Sequence, residues 1–219
     1  MLHLYATPLS SPANKVRFCA NYLSIPYEVH YLNLSAGEHK KPEMLAINPC
    51  GKIPFINDEG FYLAESNAII RYLADKRQSS LYPRELQQRA LVDQWIDYAS
   101  QHVAMATSKI LFNTLFYKLK NVSKDERSLQ EGHEFLKQYL PVVEQQLAKH
   151  TFIAGANFTL ADISMLAALD ACETVEVDLS SYAHISEWRE KLMKEAFYQD
   201  CHVSFAATLD KFMKKINKA

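Results

Sequence analysis

The chain has 219 residues, 48% of them hydrophobic and 22% charged, with a formal net charge of −1; these values fit a globular fold and leave no field strong enough to hold nucleic acid or an anionic membrane surface. Cys19, Cys50, Cys172 and Cys201 have neither CxxC nor Cys/His spacing, so the expectation is reduced thiols, no disulfide framework and no metal site. No basic segment leads into an apolar run and no apolar stretch reaches bilayer length, which predicts a cytoplasmic protein outside the membrane.

In chain order, "LHLYA" reads as a strand, a helix starts at Pro12, and "YEVHYLNL" reads as a second strand. A short helix follows over 42–46, then strands "IPFIN" and "FYLA", then a helix to about Lys76, giving a βαβ-αββα order. The "NDEG" between the last two strands has the composition of a tight hairpin. Val16, Cys19, Ala20 and Leu23 form an apolar stripe on the first helix, as do Ile69, Tyr72 and Leu73 on the last, so each is expected to cover a face of a small sheet. Together these elements make a first domain over 1–77.

A polar linker over 78–86 ends the strand patterning, and 87–219 is predicted to be all helical. The run from Leu86 to Lys120 lacks Gly and Pro and reads as one long, bent helix. Further helices are expected over 124–149 with a kink at Pro141, over 160–174 and 186–194, and over 203–217, whose basic end complements the helix dipole. In "NFTLADIS", Thr159 at N-cap and Asp162 at N3 form an acidic capping box, with Phe158 and Ile163 as its hydrophobic staple. That position accounts for Asp162 without catalysis.

Three short motifs stand out. Pro12 suits the first helical position, which makes Ser11 the expected N-cap and leaves the Ser10 hydroxyl at a helix mouth that favours a negative atom. In "NPCGKIPFI", Pro54 cannot donate to a strand ladder, so Ile53 offers its backbone to an extended peptide-like ligand, or the proline simply starts a strand. In "YLAESNAII", Glu65 and Ser66 open a helix, either as its cap or as a carboxylate pocket. His39, Lys40 and Lys41 form a small cationic group upstream, which Lys52 joins.

In this order, "LYATPLSSPANKV", "GEHKKPEMLAINPCGKIPFI", "FYLAESNAIIRYL", "ALVDQWIDYASQ" and "FTLADIS" resemble the cytosolic glutathione transferases that use serine, the phi, delta and theta classes, across essentially the whole chain. The resemblance implies an α+β fold, a thioredoxin-like glutathione-binding domain followed by an all-α domain, acting as a cytoplasmic homodimer. It implies glutathione as co-substrate and conjugation of its thiolate to small electrophiles, with hydroperoxide reduction as a second use of the thiolate. By resemblance Ser10 donates to the sulfur, and Ile53, ahead of cis-Pro54, pairs with the cysteinyl backbone. Ser66 holds the γ-glutamyl carboxylate and Glu65 the ammonium, while His39, Lys40 and Lys52 face the glycyl carboxylate. The electrophile is expected between the domains, against Leu9, Ser11, Met105 and Phe112. Asn67 departs from the pattern, since related sequences often carry arginine there. The alternatives are a non-catalytic binding or protein-interaction module of the same fold and a theta-like dehalogenase.

Overall fold

The computed structural model describes residues 1–8, 10–173, 175 and 177–200. Leu9, Cys201 and the helix expected over 203–217 lie outside the described residues. The chain divides into two compact units, Met1–Tyr82 with the segment from Glu195, and Pro83–Lys194.

The first unit contains β1 (Leu2–Ala6), α1 (Ser11–Tyr22), β2 (Tyr27–Tyr31), α2 (Pro42–Ile47), β3 (Phe55–Asp58), β4 (Phe61–Ala64) and α3 (Ser66–Lys76). The sheet order is β2-β1-β3-β4, with β1 parallel to β2 and the other pairs antiparallel. Burial alternates along β1, so Leu2, Leu4 and Ala6 join Ile56 in the core, as the two-residue period of a strand requires. The opposite face carries a stacked row of His30, Tyr5 and Phe55, with ring centroids 4.9 and 4.4 Å apart. Glu59 and Gly60 form the β3–β4 turn at φ +54° and +95°; both central residues of a two-residue hairpin turn take positive φ when the strands keep their right-handed twist.

Helices α1 and α3 pack against each other, so their apolar stripes share one face of the sheet instead of covering one face each. Val16, Cys19 and Ala20 meet the core there with Ile69, Ile70 and Leu73. Tyr72, on the same stripe, is half-buried and its hydroxyl donates to Asp58 Oδ2 at 2.6 Å. A last short helix, α10 (Ala196–Gln199), stacks Tyr198 on Phe18 of α1 at 5.0 Å, and Asn21 Nδ2 donates to Phe197 O. The first unit thus draws part of its core from a segment far along the chain.

The second unit is helical. The run predicted as one long helix is continuous but changes pitch: α4 (Leu86–Tyr98), α5 (Met105–Leu111) and α6 (Tyr117–Leu119) are joined by π-helical turns at Ala99–Ala104 and Phe112–Phe116. It is followed by α7 (Glu126–Leu147), α8 (Leu160–Asp170) and α9 (Ala183–Met193). Helix α7 runs through Pro141. At α8 both halves of the capping box are present, and every residue of the helix is buried.

Gly132 sets how closely α7 approaches α5. A Cβ added there would lie 2.8 Å from Ile110 Cγ1 and 3.0 Å from Ala106 O. Gly132→Ala is therefore expected to destabilise the protein, because overpacking costs about 1–3 kcal/mol while the gain in helix propensity is only about 1 kcal/mol. A urea midpoint that rises in this variant would show that the two helices separate at little cost.

Candidate functional site

The strand register brings the sequence motifs to one end of the sheet. Tyr5 pairs with Phe55 and Phe55 pairs with Ala64. The loop carrying Ser10 leaves β1 at that end, Ile53 and Pro54 enter β3 there, and Glu65 and Ser66 leave β4 there.

At the first motif the structure corrects the assignment of the two serines. Ser10 is the N-cap of α1, with extended backbone at φ −103° and ψ 104°, and Ser11 and Pro12 are the first two helical residues. Asn14 N donates to Ser10 O at 2.9 Å, the first bond of the helix, and Ala13 N donates to Ser10 Oγ at 3.2 Å. The physical reason is that none of the first helical N–H groups has an intrahelical partner, so a proline fits the second position as well as the first. Capping uses only an oxygen lone pair. The Ser10 hydroxyl keeps its proton, and an amide donating to the same oxygen polarises that O–H bond.

The second motif is braced by a residue that sequence reading passed over. Buried Asn48 donates from Nδ2 to Lys52 O at 2.8 Å and accepts from Cys50 N at 3.2 Å. This ties the turn in place on both sides of Gly51, where the φ of +56° favours glycine and an added Cβ would lie 3.1 Å from Leu45 Cδ2. Gly51, the neighbour of Lys52, lies against the 3₁₀ turn Glu38–Lys40, where an added Cβ would be 3.6 Å from His39 O and 3.8 Å from Lys40 Cγ. Lys40 and Lys52 are exposed, and the buried Nδ1 of His39 has no hydrogen-bond partner among the described residues. The Ile53–Pro54 peptide bond is cis. Among the described residues no hydrogen bond engages the backbone of Ile53.

At the third motif, Glu65 occupies the N-cap of α3 at φ +66°, and its side chain makes no capping bond. A left-handed backbone at a residue other than glycine costs on the order of 1 kcal/mol and persists where the surroundings impose it. Capping therefore does not explain Glu65, and the first amides of α3 get no side-chain oxygen from it. Below this turn lies Lys15 of α1, another residue the motifs did not single out. It is 7% exposed, and its Nζ donates to Asn67 Oδ1 at 2.6 Å. Burial and the Arg71 guanidinium bring its ammonium down to about 8, against the pull of Glu65.

Residues 4–80 match the family model described as glutathione S-transferase, N-terminal domain, and residues 101–196 match glutathione S-transferase, C-terminal domain. Glutathione S-transferase 1 of Zea mays is 32% identical over 202 residues, spanning 90% of this chain and 94% of that protein. The chain belongs to the glutathione S-transferase family. Among solved structures, glutathione transferase F7 from Populus trichocarpa superposes with a TM-score of 0.84 at 27% identity, covering 92% of this chain and 97% of its own. Glutathione S-transferase-I bound with lactoylglutathione gives 0.83 at 30% identity, covering 91% and 97%.

In this transferase Met105 and Phe112, expected to face an electrophile, line an open, mostly apolar groove of about 440 Å³ within the helical unit, beside Ser108 and Lys109. Met105 is 49% exposed, so it is a surface residue and not core. Seven residues apart on a continuous helix, the two share a face. Ser11 opens α1 in the other unit. Among the described residues Cys19, Cys50 and Cys172 form no disulfide; Cys19 is buried, which pushes its thiol pKa far up, Cys172 is buried and Cys50 is exposed. No helix among the described residues is long and apolar enough to cross a membrane.

Proposed function

We propose that the glutathione transferase activity of this chain runs through Ser10, which donates a hydrogen bond to the glutathione sulfur and holds it as a thiolate. The observation that carries this reading is the capping geometry: Ala13 N occupies a lone pair of Ser10 Oγ and leaves the hydroxyl proton to donate. An ordinary thiol with a pKa of about 8.5 is only a few per cent ionised at neutral pH. A hydroxyl donor at the positive end of α1 shifts that balance toward the anion. The thiol proton passes to solvent, the sulfur pair forms a bond to the electrophilic carbon, and the leaving group departs with its own bonding pair.

The rest of the tripeptide then has a partner at each polar end. Ile53 offers its backbone N–H and C=O to the cysteinyl unit. His39, Lys40 and Lys52 surround the glycyl carboxylate. Ser66 and the uncapped amides of α3 take the γ-glutamyl carboxylate, with Glu65 beside the ammonium. The groove of Met105 and Phe112 supplies apolar surface for the electrophile. Reduction of hydroperoxides uses the same thiolate, and the protein acts as a cytoplasmic homodimer.

The purified protein is expected to be retained on immobilised glutathione, to sediment at the mass of a dimer, and to turn over a panel of electrophiles or hydroperoxides. Ser66→Ala should weaken retention at least tenfold with little change in thermal midpoint. Retention without turnover of any substrate would favour the non-catalytic reading of the fold, and equal loss of retention and stability in Ser66→Ala would return Ser66 to a purely structural role.

A further inference from the structure

A buried charge is normally neutralised by a hydrogen-bonded partner of opposite sign, because the interior cannot replace the lost hydration. Lys15 does not follow that pattern. Its ammonium is more than nine-tenths buried, yet its one hydrogen-bond acceptor among the described residues is the neutral amide oxygen of Asn67, which leaves two of its three N–H donors unused. The charged groups that act on it are Arg71, which repels it, and Glu65, which attracts it. Lys15 itself thus has no carboxylate within hydrogen-bond reach among the described residues, and its only acceptor is uncharged.

We propose that Lys15 is the cation of the carboxylate pocket: held by Asn67, its ammonium provides the positive charge that binds the γ-glutamyl carboxylate of glutathione beside Ser66. This rests on the glutathione reading above. Asn67 directly follows Ser66, so the carbonyl that orients the lysine and the serine that receives the ligand belong to the same turn. A bound carboxylate would give the two unused N–H donors of Lys15 charged acceptors. Lys15 is also five residues from Ser10 on the same helix, so the side chain that holds one end of the tripeptide is rigidly tied to the hydroxyl at its sulfur. The titration of Lys15 near pH 8, with Glu65 and Arg71 as the charged groups around it, adds a signature: the pocket loses its charge within an accessible pH range.

The test uses S-methylglutathione, which keeps both carboxylates and the ammonium but has no ionisable thiol, with affinity measured by calorimetry and stability by thermal midpoint. Lys15→Met is expected to raise Kd at least tenfold with an unchanged or higher midpoint, since it removes a buried charge. Lys15→Arg, which stays protonated, should bind as wild type does at pH 7 and lose less affinity between pH 7.5 and 9. In Lys15→Met/Asn67→Arg, which moves the cation from α1 to α3, Kd should return to within about threefold of wild type. Wild-type affinity in Lys15→Met overturns the proposal. So does a loss that Asn67→Arg leaves uncorrected, which would assign the lysine to packing. Failure of the wild-type protein to bind S-methylglutathione overturns the glutathione reading and this proposal together, and is recognised before any variant is made.

Discussion

Ser10→Ala is expected to lower turnover of an electrophile by about 10²–10³, the usual effect of removing one preorganised donor from a developing or stabilised anion. The thiol titration of bound glutathione, followed by the ultraviolet absorbance of the thiolate, should move upward by one to two units, or roughly 1.4–2.7 kcal/mol. The structure complicates this variant, because Ser10 Oγ also caps α1 through Ala13 N. Loss of an N-cap to alanine costs about 0.5–2 kcal/mol of stability, whereas glycine at the same position costs only a few tenths. Ser10→Gly therefore separates the two roles. It should lose as much turnover as Ser10→Ala while retaining nearly the wild-type midpoint. Full turnover in Ser10→Gly, with an unmoved thiolate curve, would take the hydroxyl out of the chemistry.

The largest effect on stability is expected at Asp162. Its carboxylate is fully buried and accepts from Ile153 N and Trp188 Nε1 on one oxygen and from Thr159 N and Thr159 Oγ1 on the other. It thereby joins the start of α8, the turn before it and α9. Asp162→Ala leaves three buried N–H donors without an acceptor, each costing about 1–3 kcal/mol. A loss of about 3 kcal/mol or more follows, a large part of a typical total of about 5–15 kcal/mol. Chemical denaturation measures it; a loss below about 1 kcal/mol would mean that water or a rearranged loop satisfies those donors.

The same carboxyl has a defined pH signature. Burial pushes it up to about 6, outweighing the four donors, from an ordinary value of 3.8. Between these values the native state holds the proton more tightly than the unfolded chain. Its contribution to stability is thus complete below about pH 4 and is lost as pH rises through about 6. Asp162→Asn cannot titrate, so the stability of wild type relative to this variant should decline from pH 4 to 6 and level off above.

Several features were legible from short stretches of chain because the interactions that create them are local. The "NDEG" hairpin has its turn at Glu59 and Gly60. The Thr159–Asp162 capping box closes within one helical turn. Motif order along the chain was enough to place the family, which the N- and C-terminal domain models match over residues 4–80 and 101–196. The error over the two serines was also local, but it could not be resolved locally: Pro12 is compatible with two helix starts that differ by one residue, and the adjoining structure selects between them.

Other features had no signal of their own in the sequence. An amphipathic reading of α1 leaves its polar residues in solvent, yet Asn14, Lys15 and Arg17 are all buried. Lys15 meets its acceptor 52 residues away on α3, and Asn48 looks like any turn asparagine until its two bonds across Gly51 are seen. The order of strands and helices, the hairpin turn and the capping box of α8 were readable from the chain alone, since each depends on neighbours within a few residues. It took the folded chain to show that α1 and α3 share a face, that Ser10 is the capping serine, and that buried Lys15 donates to Asn67 beside the turn opened by Glu65. Those outcomes depend on strand register and burial, which bring together atoms that the chain keeps tens of residues apart.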